Sequence, residues 1–184
     1  DGSSWHTLGS GVGGGTYSRV SAIAVSGSDL YVGGYFTEAG GSPASRIARW
    51  DGSSWHALGS GVNYEVRAIA VSGSDLYVGG SFTEAGGTPA SYIARWDGSS
   101  WHAFGSGMNS WVCPIVVSGL DVYVGGKFTE AGGSPASRIV RWDGSSWHAL
   151  GSGVGGGTYT FVTAIAVSGS DLYVGGDFTE AGGS

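Results

Sequence analysis

Four histidines recur at equivalent positions along the chain, and histidine is the commonest metal ligand in proteins. Each follows a tryptophan in the phrase DGSSWH, and they are His6, His56, His102 and His148. We expect each to lie on the outermost strand of a separate sheet, where neighbouring strands are about 4.8 Å apart. Zinc ligands lie about 2 Å from the metal, so histidines of separate sheets cannot share one ion. The spacing predicts surface or packing histidines and no metal site.

Acidic residues also recur, but in patterns typical of turns. Eight of the fourteen acids are aspartates of DGSS or of the SGSD turn, and the glutamate of FTEAGG occurs once per repeat. DGSS lacks the D-x-D-x-D-G order of a calcium loop, and no second carboxylate accompanies the glutamate as acid–base chemistry requires. The serines lack a nucleophile elbow, and VGGGTY lacks the Lys-Ser/Thr of a phosphate loop. We therefore predict a protein that is not an enzyme and needs no cofactor.

Composition narrows the class of partner. The chain has 184 residues, of which 38 are Gly, and 12% are aromatic, which places it with folded rather than disordered chains. Its net charge is −6 with only eight basic residues, which predicts no nucleic-acid binding. No apolar run approaches the ~20 residues of a membrane helix, so no membrane insertion is expected. The single cysteine, Cys113, fits a small packing residue better than a reactive thiol.

The chain is an array of four repeats that predicts an all-β propeller. DGSSWH begins at residues 1, 51, 97 and 143, a spacing of 50, 46 and 46 residues, which is the length of a propeller blade. The residue pattern of each repeat predicts four antiparallel strands, which we label a to d in chain order. In one copy, strand a is Ala68–Ser72, strand b is Asp75–Phe82, strand c is Ser91–Trp96 and strand d is Ser100–Gly107. Strand b is apolar on both faces, so sheets must pack above and below it. Residues 1–184 thus form one propeller domain.

These motifs resemble a known repeat family. AIAVSGSDLYVGG followed by IARWDGSSWHAL is similar to the kelch repeat, in which an apolar strand precedes a tyrosine strand ending in Gly-Gly and an aspartate hairpin with a tryptophan. The fuller phrase resembles kelch-type propeller repeats of bacterial surface proteins and of a fungal cell-cortex marker protein. The resemblance implies a propeller and, by analogy, recognition at cell surfaces or in defence. The chain departs from common kelch domains in its nearly identical blades and in having only four.

The order of the strands raises the question of ring closure. The chain begins with strand d and ends after strand b, so the last repeat lacks its third strand, which reads PASRIARW in the first repeat. Two chains would make an eight-bladed ring, and exposed strand edges favour such pairing. A four-bladed monomer and a fragment of a larger ring are the alternatives. The expected state is a homo-oligomer, namely a dimer.

The repeats differ at few positions, and those positions predict a binding surface. The variable positions are the d-to-a links, the residue after Gly-Gly and the residue before the isoleucine of strand c. In an antiparallel meander all of these positions fall at one end of the ring. The turns at the opposite end hardly vary, with the exception of Leu120. Tyr, Trp and Arg are frequent in recognition surfaces. The candidate binding residues are Tyr17, Arg19, Tyr35, Arg46, Tyr64, Glu65, Arg67, Tyr92, Trp111, Lys127, Arg138, Tyr159, Phe161 and Asp177.

Two interpretations of this variation remain open. A binding module would diversify the loops of one face to recognise a protein, peptide or glycan, and a rigid scaffold would hold those loops in place. A structural or engineered repeat scaffold without a ligand would also repeat its blades, and its exposed loops would vary by drift. Drift would mark the opposite turns as well, which it hardly does, so the pattern favours the binding module.

Overall fold

The computed structural model describes residues 2–183, and all of their regular structure is β-strand. Within this range no helix has the length and apolarity to cross a membrane. The strands in chain order are β1 (Val12–Gly13), β2 (Arg19–Ser26), β3 (Asp29–Tyr35), β4 (Glu38–Ala39), β5 (Ser42–Pro43), β6 (Ile47–Trp50), β7 (Trp55–Ala57), β8 (Val66–Ser72), β9 (Asp75–Gly80), β10 (Glu84–Ala85), β11 (Thr88–Pro89), β12 (Ile93–Trp96), β13 (Trp101–Ala103), β14 (Val112–Ser118), β15 (Asp121–Gly126), β16 (Glu130–Ala131), β17 (Ser134–Pro135), β18 (Ile139–Trp142), β19 (Trp147–Ala149), β20 (Val154–Gly155), β21 (Phe161–Ser168), β22 (Asp171–Asp177) and β23 (Glu180–Ala181).

Antiparallel sheets repeat along the chain as the blades of a β-propeller. Blade one is β2-β3-β6-β7, blade two is β8-β9-β12-β13, and blade three is β14-β15-β18-β19. Blade four consists of the hairpin β21-β22. The a strands of successive blades contact one another, β2 with β8, β8 with β14 and β14 with β21, so these strands line the inner side of the stack. The predicted all-β propeller is confirmed.

The Gly-Gly pair of strand b sets the distance between blades. Gly79 of blade two is buried, and a Cβ added there would lie 3.0 Å from Ile115 Cδ1 and still closer to Val112 Cγ1 of blade three. Gly33 and Gly125 face the next blade in the same way. A side chain at these positions would force adjacent sheets apart, so only glycine permits this packing. The first glycine of each pair is therefore a packing feature of the blade interface, whereas the second lies against strand a of its own blade, as Gly80 does against the Glu65 carbonyl.

The link from strand b to strand c is more ordered than the sequence indicates. This link is longer than the other turns of the blade, and it folds into a small hairpin in each complete blade, for example β10-β11 in blade two. The preceding d-to-a link adds to it, as when Val62 bridges Ala85. A Cβ on Gly86 at the hairpin tip would touch the Trp101 ring, and Trp101 Nε1 donates to the Leu58 carbonyl at 2.8 Å. The hairpin is thus fixed by the tryptophan of strand d.

Strand bounds agree with the expectation at their centres and differ at their ends. Strand a of blade two starts earlier than predicted, at Val66, because a register shift between Val66 and Ala68 lets it continue beside Gly80. Strands c and d are shorter, at Ile93–Trp96 and Trp101–Ala103. The first predicted d strand is wrong, since residues 2–11 form no strand. A d strand forms by pairing with strand c, as β13 does with β12, and those residues have no such pairing.

The four blades stack in chain order and leave the two outer faces of the stack uncovered. Ile23 on strand a of blade one is 63% exposed, whereas its counterpart Ile115 in blade three is 7% exposed. At the other end, a Cβ on Gly175 of blade four would meet only Ala164, at 3.6 Å. Within residues 2–183 these faces do not pack on each other. The described residues therefore do not form a closed four-bladed ring, and the number of blades in a complete ring stays a prediction.

Candidate functional site

The residues that differ between repeats meet at one end of the blades. Arg19 starts β2 and pairs with Tyr35, the last residue of β3, while Phe161 and Asp177 pair in the same way in blade four. The links between repeats enter strand a at this end, so loop residues and strand ends come together. We call the connected set the variable face. Its members are Arg19, Tyr35, Arg46, Tyr64, Glu65, Arg67, Trp111 and Phe161.

A buried carboxylate organises the centre of the variable face. Glu65 is only 4% exposed, and its Oε1 lies 2.8 Å from Arg19 Nη2 while its Oε2 lies 2.9 Å from Arg67 Nη2. Ser21 Oγ donates to the same carboxylate at 3.2 Å. Arg19 stays exposed and Arg67 half-exposed, so the carboxylate fixes two guanidinium groups that still face solvent. Glu65 was predicted to contact a ligand, but its burial makes it a residue that positions two arginines.

Aromatic rings extend this centre in both directions across the blades. On one side the Tyr35 and Tyr64 rings meet edge to face at 5.6 Å, and Arg46 lies over Tyr35 at 4.6 Å. On the other side Arg67 lies over the Trp111 ring at 5.3 Å. Trp111 in turn contacts Phe161 of blade four at 5.6 Å. Side chains of all four blades therefore form one continuous surface of rings and guanidinium groups, held by cation–π and ring contacts.

A cleft of about 270 Å³ opens at the blade-one side of the variable face. It lies between the inserted loop of the first repeat and the end of strand b, and Thr37 Oγ1 donates to the Gly14 carbonyl at 2.9 Å across it. Tyr17 at its rim is 78% exposed. The lining residues are Gly14, Gly15, Thr16, Tyr17, Ser18, Tyr35, Phe36, Thr37 and Arg46. The cleft therefore combines two tyrosines and an arginine with the backbone of a glycine-rich loop.

The variable residue before strand c has an unusual backbone conformation. Arg46, Tyr92 and Arg138 have φ angles of 67°, 66° and 65°, the left-handed region that costs a non-glycine residue about 1–2 kcal/mol. In blade one the Arg46 N–H donates to the Phe36 carbonyl at 3.0 Å, and Gly34 N–H donates to the Arg46 carbonyl at 2.9 Å. Two backbone hydrogen bonds thus hold each position while the side chain changes from blade to blade.

The other predicted binding residues lie outside this network. Lys127, Tyr159 and Asp177 are exposed, and Tyr17 lies at the rim of the cleft. Tyr92 is half-buried against the core of blades two and three. Arg138 Nε donates at 3.4 Å to the carbonyl of Thr160, which is buried. The structure therefore joins eight of the fourteen predicted residues into one surface and leaves the rest around it or below it.

Two asparagines were missed by the sequence reasoning, although they occur only in the repeats without the glycine insertion. Asn63 Oδ1 accepts from the Thr83 and Glu84 N–H groups at 2.9 and 3.1 Å, and its Nδ2 donates to Thr83 Oγ1 at 3.0 Å. Asn109 makes the same contacts one blade later. In the short links, asparagine thus ties the variable loop to the b-to-c hairpin. The sequence carried a signal for this role, because the asparagine stands in the two repeats that lack the GGGTY insertion.

The repeated histidines pair with their own hairpins. His56 Nε2 lies 2.6 Å from Asp51 Oδ2, and Asp51 Oδ1 accepts from the Ser53 and Ser54 N–H groups. The Ser54 N–H, followed by the His56 ring, holds the pKa of the Asp51 carboxyl well below its usual range. Asp97 and Asp143 have the same contacts and the same direction of shift. The prediction of turn aspartates is confirmed, and residues 2–183 bring no three His, Cys, Asp or Glu side chains together for a metal ion.

The single thiol lies beneath the variable face. Cys113 is half-buried, and its Sγ lies 3.8 Å from the Arg67 carbonyl. Burial raises the pKa of the Cys113 thiol, with nearby Arg67 lowering it less. A raised pKa reduces the thiolate fraction, which is the reactive form. The geometry agrees with the predicted packing role.

Comparisons with known proteins agree on the fold. A family model described as a domain of unknown function (DUF5122) beta-propeller matches residues 29–50, which run from β3 through β6. The computationally designed Ika4 protein has a similar structure, with a TM-score of 0.57, 18% identity and coverage of 89% of this chain and 88% of that one. The computationally designed Ika8 protein is also similar, with a TM-score of 0.50 and 17% identity. The match covers 88% of this chain and 56% of Ika8. No curated protein matches the chain. The kelch-type resemblance stays an inference from the sequence.

Proposed function

We propose that this propeller is a recognition module, without catalytic activity, that binds a protein, peptide or glycan through the variable face. One observation carries the proposal. Eight of the fourteen residues that differ between otherwise equal repeats join their side chains into a continuous surface across four blades, from Arg46 and Tyr35 to Trp111 and Phe161. Tyrosine and tryptophan supply large contact areas at low entropic cost, and arginines held in place by Glu65, such as Arg19 and Arg67, supply directed hydrogen bonds.

The charges of the variable face favour a ligand that carries an anionic group. Its centre holds three guanidinium groups, those of Arg19, Arg46 and Arg67, against the single carboxylate of Glu65. The arginines of the opposite end are paired with turn aspartates, as Arg95 is with Asp75 at 2.8 Å. In a chain of net charge −6, the exposed guanidinium of Arg19 and the partly exposed ones of Arg46 and Arg67 are where the variable face would attract a carboxylate or sulfate group.

The carboxyl groups of the chain are placed for structural contacts rather than for proton transfer, which supports a function without catalysis. The hairpin aspartates are held deprotonated by backbone and histidine contacts, as at Asp51. A general acid needs a pKa near the working pH, which a depressed carboxyl does not have. Glu65 has both of its oxygens occupied by arginines. These arrangements support binding rather than acid–base catalysis.

A repeat scaffold without a ligand is the second candidate function. It is favoured by the structural similarity to two computationally designed proteins. It is also consistent with the contacts that variable residues make with each other, such as Arg19 with Glu65. The two candidates differ in whether the variable face binds anything else.

The proposal is tested by screening the whole chain on glycan arrays that include sialylated and sulfated members, on acidic peptide arrays and on bacterial lysate proteins. Binding is then compared with variants in which Tyr64, Trp111 or Tyr92 is replaced by alanine. We expect Tyr64→Ala and Trp111→Ala to weaken binding at least about tenfold, because loss of an interfacial aromatic costs more than about 1.4 kcal/mol. Tyr92→Ala, at the half-buried position, is expected to have a smaller effect.

Leu120→Ala is the matched control, because Leu120 is 90% exposed in a turn at the opposite end of the blades. It should leave binding unchanged. Binding that survives both aromatic substitutions, or the absence of any ligand on the arrays, contradicts the recognition module and favours the scaffold.

A further inference from the structure

The two uncovered faces of the blade stack are complementary. The leading face, on strand β2 of blade one, presents Val20, Ile23 and Val25, which are 43%, 63% and 67% exposed. The trailing face, on blade four, presents Ala164 and Ala166 of β21 with Tyr173 and Gly175 of β22. Tyr173 is 59% exposed, and Ala164 and Ala166 are exposed as well. Exposed aliphatic side chains side by side on a strand are unusual for a chain that remains alone in solution.

Each face is one half of an interface that the chain already contains three times. The counterparts of Val20 in blades two, three and four are Val66, Val112 and Val162, and all three are 0% exposed. They lie against the first glycine of the Gly-Gly pair in the preceding blade, which is Gly33, Gly79 or Gly125. Tyr31 and Tyr77, the counterparts of Tyr173, are half-buried in the same contact. The internal interfaces therefore show how a leading face fits a trailing face.

The trailing face has an open place for the missing half. A Cβ at Gly33 would lie 2.9 Å from Ile69 Cδ1, and one at Gly125 would lie 3.0 Å from Pro114 Cδ. At Gly175 the same atom would meet only Ala164 of its own hairpin. The groove beside Gly175 thus lacks the valine and isoleucine that fill it elsewhere. Val20 and Ile23 of blade one are the valine and isoleucine of the same series, and no glycine of a neighbouring blade packs against them within residues 2–183.

The outer rim of the blades shows the same match. A Cβ on Gly40 or Gly86 would touch a tryptophan of strand d, Trp55 or Trp101. The equivalent Gly182 has no atom within 4 Å of its added Cβ, and neither has Gly151 of the last d-to-a link. Trp5, the first tryptophan of the DGSSW series, is fully exposed at 103%. Blade four therefore has an unfilled tryptophan site beside Gly182, and Trp5 is an exposed tryptophan of the same series.

We propose that the leading face of one copy packs on the trailing face of a second copy, and that two copies close into a ring of eight blades. Such a head-to-tail interface generates a closed ring or an open filament. Two chains of four blades give eight, which is within the 4–8 blades usual for propellers, whereas three chains would give more than that range allows. This association uses the faces of the blades and does not depend on ligand binding.

The mass of the chain in solution tests the proposal. Light scattering after size exclusion, at micromolar protein concentrations, should give about 37 kDa, twice the 18.5 kDa of one chain. Ile23→Lys places a charge in the leading face, and Gly175→Leu fills the groove of the trailing face. Each variant should elute as a monomer with the wild-type far-UV spectrum, because both positions lie at uncovered faces of the isolated chain.

Mixing the two variants distinguishes head-to-tail contact from any other dimer. A mixture of Ile23→Lys and Gly175→Leu chains retains one intact interface, between the wild-type leading face of one chain and the wild-type trailing face of the other. The mixture should therefore recover a species of two chains that neither variant forms alone. Under a symmetric contact of leading face with leading face, Gly175→Leu alone would leave the dimer intact.

Leu120→Lys, in the exposed turn at the opposite end, is the control and should remain a dimer. A wild-type mass of one chain overturns the proposal, and a mass above two chains overturns the two-copy ring. Dimers that persist in both face variants also overturn it. If one face variant fails to fold, the wild-type mass and the other variant still decide the question.

Discussion

At the scale of single residues, the DGSS hairpins show how a short polar phrase is fixed by one carboxylate. Asp51 Oδ1 accepts from Ser53 and Ser54, its Oδ2 contacts His56 at 2.6 Å, and the following Gly52 has a φ of 97°. The same contacts recur at Asp97 and Asp143. The hairpin therefore depends on an ionised aspartate, and its stability depends on pH.

The sign of that dependence follows from the depressed pKa of these carboxyls. A lowered folded-state pKa contributes stability above the unfolded value, which is about 3.9, and the contribution is lost as pH falls below it. We expect the wild-type melting temperature to fall between about pH 5 and about pH 2. The triple variant Asp51→Asn, Asp97→Asn, Asp143→Asn should fall much less, because an amide oxygen accepts hydrogen bonds without titrating.

Asp177→Asn, a change at an exposed strand end, serves as the control and should keep the wild-type acid dependence. Thermal melts followed by circular dichroism give the comparison. A triple variant that loses melting temperature as steeply as the wild type would show that other groups cause the acid dependence.

The residue scale also shows where sequence reasoning reaches its limit. Arg19, Tyr35 and Trp111 were identified because repeats can be compared with each other. Glu65 was identified for the same reason, but as a ligand contact. Glu65 is buried between Arg67, two residues further along the chain, and Arg19, which lies 46 residues earlier in another repeat. A contact between two repeats cannot be read from the pattern of one repeat.

At the scale of elements, the blade interface depends on a glycine facing an aliphatic pair. Gly79 fits against Val112 and Ile115, and Gly175 faces no other blade. We expect Gly79→Ala to lower the free energy of unfolding by about 1–3 kcal/mol, because the added methyl group overpacks the interface. Gly175→Ala should change it by less than about 0.5 kcal/mol, as at an ordinary surface position.

Both substitutions are best compared by denaturant unfolding in the Ile23→Lys chain, so that association of copies does not contribute. The pair is matched, because both glycines precede a second glycine at the end of strand b. Equal effects of the two substitutions would mean that intrinsic strand preference, and not contact between blades, explains the glycine.

The elements that the sequence predicts well are those with strong local signals. Alternating apolar residues and the Asp-Gly turn located strands a to d within a few residues, as for strand b at Asp75–Gly80. The hairpins of the b-to-c links were missed, because segments such as Glu84–Ala85 are too short to show periodicity. The first d strand was predicted from its phrase alone, although a strand also needs a partner beside it.

At the scale of the whole molecule, charge and variation are divided between the two ends of the blades. Within residues 2–183, one end carries seven turn aspartates, and arginines such as Arg49 are paired with them at about 2.9 Å. The other end carries the variable face with its exposed guanidinium groups and rings. From the order of strands, the sequence predicted that the variable residues lie at one end and the invariant turns at the other. The contacts between blades that join the face, and the open ends of the stack, required the structure.

The central claim is that the variable face binds the ligand, and hydrogen–deuterium exchange of the wild-type chain tests it most directly. The strongest ligand from the arrays is added at saturation. We expect slower exchange in segments 14–19, 63–67 and 109–113, with no change in the DGSS turns at 51–54 and 97–100. Protection at those turns, or none in the three links despite saturation, would contradict the claim.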